Sequence, residues 1–319
     1  VKIRPIDPAK ARTRKLGTLS RKVKREDLAR PLKAGATIGQ FFDSLPDILA
    51  ARELRELARR IARAYRGRRT VILLMGAHPI KCGLGPIICD LLRDRIISAV
   101  AMNGAAIIHD FELAFAGRTS EDVGAGLAEG SFGMAEETGA FLNRAARIAA
   151  DENLGLGEAV GREIVRSRLK FRAFSILATA FEVGAPATVH VAIGTDIIHM
   201  HPDADGGAIG RASMADFHRL AAVVGELSRG VAINLGSAVL MPEVFVKALN
   251  LARNVGRKVT GITTADMDFI RQYRPRVNVI ERPTAGGGHG IALTGHHEIM
   301  FPLLAAAIRE ELGRRFEKR

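Results

Sequence analysis

A doubly wound α/β fold with a mainly parallel sheet is predicted by three observations. Apolar runs of strand type recur along the chain, helical periods separate most of them, and Gly, His, Asp and Asn gather where the runs end. The composition agrees. Hydrophobic residues make up 47%, aromatics only 5% and Trp is absent, so Ala, Val, Ile and Leu must fill the interior. Buried parallel strands have that character, and 319 residues suffice for one large core or two smaller ones.

Residues 1–69 read as a basic N-terminal arm and helix. Pro5, Pro8 and Pro31 break regular structure over 1–36, a short helical region runs from Thr37 to Ala50, and an Arg-rich helix from Arg52 to Arg66 follows. Residues 70–319 read as the sheet-bearing domain. Its strand-like runs are Thr70–Met75, Ile96–Met102, Ala187–Ile193, Val231–Leu235, Val259–Thr264 and Val277–Ile280. Helical periods fall at Leu84–Arg93, Ala106–Phe115, Met214–Leu227 and Glu243–Ala252, with Ser213 expected to cap the third. A helical insertion over 135–182 interrupts the alternation, and an amphipathic helix from Ile299 to Phe316 ends it.

The net charge of +13 lies entirely in residues 1–69, which hold 20 Lys/Arg against 7 Asp/Glu; the remainder holds 27 of each. Such an arm could tether a nucleic acid or an acidic partner. The solvated-face reading is favoured, because no aromatic platform or known nucleic-acid motif accompanies the charge. No apolar run is long enough for a membrane span, and the basic start is not followed by a signal-like apolar stretch. Cys82 and Cys89 read as core positions on one helix, which points to a reducing cytoplasm.

In an open parallel sheet, ligands bind outside the carboxyl ends of the strands. The first run ends in Gly76-Ala-His-Pro-Ile-Lys-Cys-Gly83 and the second in Met102-Asn-Gly-Ala-Ala-Ile-Ile-His-Asp110. The third continues through Gly194 to Gly210, and the fourth ends in Asn234-Leu-Gly-Ser-Ala238. Gly286 to Glu298 supplies a further segment rich in Gly and His. Small residues there let a ligand approach the backbone, and a helix N-terminus behind them favours negative charge. His109 and Glu112 are acid–base candidates, and Lys81 is an amine able to reach a phosphate or form an imine. Seven of the nine histidines fall in these segments. His199 and His201, with His296 or His297, leave a divalent-metal hydrolase as one alternative, although no strong zinc spacing is present, and a non-catalytic binding protein whose basic arm contacts nucleic acid is the other.

The succession Met102–Asp110, Asp205-Gly-Gly-Ala-Ile-Gly210, Asn234–Ala238 and Phe301-Pro-Leu-Leu304 resembles deoxyhypusine synthase and its bacterial relatives, in order from Thr70 to Glu311. The resemblance implies a Rossmann-like NAD-binding domain, NAD at subunit interfaces and a homotetramer. It also implies an amine substrate: established members oxidise spermidine and pass an aminobutyl group, through a lysine imine, to a translation factor. Carried over by position, Gly76, Ala77, His78, Asn103, Gly104, Ala105, Asp110, Asp205, Gly236, Ser237 and His296 are the NAD-contacting residues. His109 stands where the family has glutamate, His296 stands near a cofactor-contacting aspartate, Arg211 replaces an aspartate and Pro242 a polyamine-facing histidine. The lysine expected in Arg282–Gly290 is missing, and no lysine occurs between Lys258 and Lys318. The family's covalent transfer therefore lacks its usual amine, and a divergent reaction is expected.

Overall fold

A computed structural model describes residues 3–313 of the chain. Among them, six strands form one parallel sheet: β1 (Val71–Met75), β2 (Ala99–Asn103), β3 (Ala187–His190), β4 (Val231–Leu235), β5 (Thr263–Asp268) and β6 (His289–Thr294). The order is β3-β2-β1-β4-β5-β6, so the winding reverses between β1 and β4. The helices are α1 (Ile38–Ser44), α2 (Leu49–Arg66), α3 (His78–Lys81), α4 (Gly85–Arg93), α5 (Gly104–Ala116) and α6 (Val123–Glu129). They continue with α7 (Glu136–Asp151), α8 (Leu156–Arg166), α9 (Ile176–Val183), α10 (Gly206–Gly225) and α11 (Leu240–Asn254). A last group comprises α12 (Tyr273–Pro275), α13 (Arg282–Thr284) and α14 (His297–Gly313). No helix among the described residues is long and apolar enough to cross a membrane.

Each central strand is buried on both faces, and its alternation feeds two cores. Val71, Leu73 and Met75 join the core beneath α2, α4, α5 and α14, whereas Ile72 and Leu74 join the one beneath α10 and α11. Helix α2 buries Leu54, Leu57, Ala58 and Ile61 in a stripe of helical period. Its outward Arg59, Arg60 and Arg63 all pair with Glu56. Arg66 donates to the carbonyl oxygens of Glu311 and Leu312, tying α2 to the end of α14.

Five expectations need correction. Val277–Ile280 is not a strand but part of a π-helical turn, Arg276–Glu281, between α12 and α13. A four-residue apolar run cannot distinguish the two states, and here Val277, Asn278 and Val279 are buried in succession. The sixth strand instead comes from His289–Thr294, just after the glycine run 286–288, within the segment expected to be a loop. Gly290 has no side chain to strike Ile280, whose Cγ2 would lie 2.6 Å from an added Cβ. The fifth strand begins at Thr263, later than the Val259–Thr264 run suggests. Ser213 lies inside α10, and Asp205 caps that helix by accepting from the Ala208 N–H at 3.0 Å. Cys82 caps the end of α3 and Cys89 lies within α4, since the chain turns at Gly83 between the two helices. Of the last predicted helix, residues 314–316 lie outside the described residues.

Candidate active site

The loops that leave β1, β2, β3, β4 and β6 share one pole of the parallel sheet. At the winding reversal the backbones of the β1 and β4 loops touch: a Cβ on Gly76 would lie 2.4 Å from the Gly236 carbonyl oxygen. The Gly76 N–H donates to Leu235 at 3.1 Å, and the Gly236 N–H donates to Met267 at 3.0 Å. A third loop closes the floor. His297, 1% exposed, donates from Nε2 to the Met267 carbonyl at 3.2 Å and lies 3.7 Å from Asp268. Its ring meets His78 at 5.3 Å and Phe269 at 5.9 Å between centroids. Burial holds the His297 pKa below its usual value. The ring is then neutral with its proton on Nε2, which leaves Nδ1 a buried acceptor with no partner. Asn234 Oδ1 is likewise buried and unpartnered; its amide donates to Ser237 at 3.0 Å and Asp266 at 2.8 Å.

Beside this crevice lies a cavity of about 200 Å³ between α3, α5, α6 and the loop after β3. Lys81, His109 and Glu112 all line it, with Glu121, Asp196 and Ala105. A hydrogen-bond chain organises one wall. The Thr119 hydroxyl donates to Glu112 Oε2 and so accepts from His109 Nδ1 at 2.7 Å. Thr138 donates to the other Glu112 oxygen at 3.4 Å. The chain fixes the His109 tautomer, with Nδ1 protonated and Nε2 carrying the lone pair. Burial first, and then the Lys81 charge, lowers the His109 pKa to about 4. Asp196 lines the same cavity, its pKa pushed up to about 6 by burial. One of its oxygens is buried without a partner. Gly104 makes room for that carboxylate, since any Cβ there would lie 1.9 Å from Asp196 Oδ2.

The remaining sequence candidates fall as follows. Asn103 caps α5 by accepting from the Ala106 N–H at 3.1 Å. Asp205 caps α10 at the exposed end of the β3 loop, and His296 is exposed beside His297. Asp110 turns away from the crevice. Its carboxylate accepts from the Ser175 hydroxyl at 2.5 Å and the Ile176 and Leu177 N–H groups at 2.7 and 3.3 Å, holding the N-terminus of α9. The metal alternative does not assemble. His201 bonds the Gly133 carbonyl oxygen, His199 Nδ1 accepts from the Gly194 N–H, and His297, on a different segment, gives its Nε2 proton to the Met267 carbonyl. Among the described residues, no group of three His, Cys, Asp or Glu could hold a metal ion.

Sequence reading missed Thr119, Thr138 and Glu121. Thr119 becomes legible only through Gly117, which closes α5 at φ 69° and folds the chain back over the His109–Glu112 face. The segment expected to supply a lysine, Arg282–Gly290, enters β6 at the amino pole, away from the cavity. The turn from the last strand that does reach the carboxyl pole is Gly295-His-His-Glu298, which has no lysine.

No family model and no curated protein matches this sequence. Solved structures do match in fold. A conserved protein provisionally assigned to the LOR/SDH group from Methanococcus maripaludis S2 is 16% identical, with a TM-score of 0.51 over 96% of this chain and 75% of that one. A structure provisionally assigned as deoxyhypusine synthase from Entamoeba histolytica is 11% identical, with a TM-score of 0.53 over 88% and 95% of the two chains. AgrE, solved with ornithine and NAD+, is 12% identical, with a TM-score of 0.52 over 85% of this chain. The chain spans only 35% of the AgrE length. These likenesses establish a Rossmann-like fold. The same fold also appears in AgrE, so it does not single out deoxyhypusine synthase.

Proposed function

We propose that the chain is a cytoplasmic, NAD-dependent enzyme, assembled as a homotetramer, that removes hydride from a small amine. The observation that carries this reading is the cavity in which Lys81, His109 and Glu112 meet beside the strand-end crevice. Three carboxylates on its walls, Glu112, Glu121 and Asp196, favour a cationic ligand. The likeness to AgrE, whose structure holds ornithine and NAD+, supports pairing a dinucleotide with an amine-bearing substrate.

The crevice residues fit such a cofactor. His297 Nδ1 and Asn234 Oδ1 are buried acceptors awaiting donors, and the loops around them carry small residues at Gly76, Ala77, Gly236 and Ser237. Gly76, Ala77, His78, Gly236 and Ser237 would hold the cofactor at the winding reversal, with Asn103, Gly104 and Ala105 at the start of α5. Asp205 and His296 stand at its outer rim. Asp110 acts indirectly, by fixing α9 against α5. Bound NAD would supply a hydride acceptor.

His109 Nε2, which carries the lone pair, is the proton acceptor of the reaction, and Glu112, through Thr119, holds its ring and tautomer. Removal of hydride and a proton leaves an imine, which water hydrolyses to a carbonyl with release of ammonia; Lys81, within the same cavity, is the amine available to condense with that carbonyl with loss of water. The test is NADH formation with a panel of diamines and ornithine. The expected result is turnover with at least one, lowered roughly 10²–10⁴-fold in His109→Ala with little change in NAD affinity. No turnover with any amine, or equal turnover by His109→Ala, overturns the assignment. Borohydride trapping of a labelled carbonyl product on Lys81, lost in Lys81→Arg, tests the lysine separately.

A further inference from the structure

The opposite pole of the sheet carries a feature that the proposed reaction does not use. β2, β1 and β4 lie side by side, and the turn into each contains an arginine with left-handed backbone: Arg95 (φ 58°), Arg68 (φ 50°) and Arg229 (φ 58°). Glycine or asparagine adopts that conformation far more readily. Arginine at three adjacent turns is thus a strained choice, and strain of this kind marks sites where the side chain is needed.

Two of these arginines converge on one recess. Arg66, Arg68, Arg69 and Arg95 surround a depression of about 470 Å³, completed by Tyr65 and Ser98. No carboxylate lines it. Arg66 reaches the end of α14, but among the described residues the guanidinia of Arg68, Arg69 and Arg95 have neither an ion pair nor a hydrogen bond. Several other arginines of the chain are paired, as Arg55 is with Asp47 at 2.9 Å and Arg60 with Glu56 at 2.6 Å. Glu226, which accepts through its carbonyl from Thr70 at the recess edge, already has its carboxylate paired with Arg257. The positive charge of the recess is therefore uncompensated.

We propose that this amino-pole recess binds a compact ligand carrying two or more phosphate groups. Guanidinium forks match phosphate oxygens in pairs, and the recess is of the size that holds a small molecule. Tyr65, 38% exposed, offers a ring face at its rim. A small ligand is favoured over a nucleic-acid strand because the arginines surround one depression instead of following a groove with repeated aromatic platforms. This site is separate from the dinucleotide crevice, being at the other end of the same strands.

The test is calorimetric titration of the full chain with inorganic tripolyphosphate, with and without saturating NAD. One ligand per chain is expected, with affinity falling as salt rises and unaffected by NAD. Arg68→Gly/Arg95→Gly removes two guanidinia and relieves the left-handed strain. It should lose at least tenfold in affinity while its melting temperature stays level or rises, and Arg69→Gln should lose affinity without any change of backbone. Arg12→Gln/Arg14→Gln/Lys15→Gln, in the N-terminal arm, should bind as the wild type does. The proposal is overturned by absence of saturable binding, by unchanged affinity in Arg68→Gly/Arg95→Gly, or by loss confined to the arm variant. Single-stranded DNA that binds more tightly the longer it is, and outcompetes tripolyphosphate at equal phosphate, overturns the compact-ligand assignment in favour of nucleic acid.

Discussion

His109 shows how a single residue acquires chemistry from its surroundings. Its sequence position identified a titratable group one helical turn into α5, but not the Thr119–Glu112 chain that fixes its tautomer. That chain depends on a contact ten residues away, which no local spacing announces. With a folded pKa of about 4 against an ordinary value of 6.5, His109 stays neutral as pH falls from 7 to 5. An NMR titration should show its ring proton moving with a midpoint near 4; a midpoint near 6.5 contradicts the buried, Lys81-facing environment. The linkage has a definite sign. The unfolded chain takes up this proton below about 6.5 while the folded one resists, so the stability His109 confers is present above that pH and is lost as pH falls toward 4. Thr119→Val should break the chain, detectable as loss of the Nδ1–H tautomer in ¹⁵N ring shifts, at a stability cost of about 1 kcal/mol. Retention of that tautomer would show that Thr119 does not set it.

At the scale of elements, α10 is joined to its neighbours by one buried acid. Asp216 Oδ2 accepts from the Gly157 N–H of α8 at 2.9 Å and from the Val189 N–H of β3 at 2.8 Å. Gly157 permits this approach, because a Cβ there would meet the Ala187 carbonyl at 2.3 Å. Asp216→Ala leaves two buried donors unpaired and should cost about 2–3 kcal/mol in chemical denaturation; a cost below about 0.5 kcal/mol would deny the bridging role. Burial raises the Asp216 pKa to about 7. Between an unfolded value near 3.8 and that folded value, only the folded chain holds the proton. The wild type should therefore lose stability relative to Asp216→Asn as pH rises from 4 to 7, and a constant gap contradicts the raised pKa. Strands β1, β2, β3 and β4 were legible as elements because their apolar runs end in turn chemistry. β5 and β6 were misread because the sixth strand follows a run of three glycines and is only partly buried, whereas Val277, Asn278 and Val279 are buried in succession within a helical turn.

Across the whole molecule, the parallel sheet separates two poles of different chemistry. The carboxyl pole gathers histidines, carboxylates and open backbone; the amino pole gathers unpaired arginines. The first was readable from the sequence, since residues that follow apolar runs must share one end of a parallel sheet. The second was not, because left-handed backbone at Arg68, Arg95 and Arg229 leaves no mark on residue spacing. Concentration of the excess charge before residue 70 drew attention to the arm, while Arg66, Arg68 and Arg69 at the end of that same segment face the recess. We propose that the crevice at the carboxyl pole holds NAD. Thermal melting of the full chain against NAD concentration tests it most directly. Binding to the folded state alone should raise the melting temperature continuously above Kd, adding about 2.7 kcal/mol of stability at one hundred times Kd. A melting temperature that does not move up to millimolar NAD contradicts the claim.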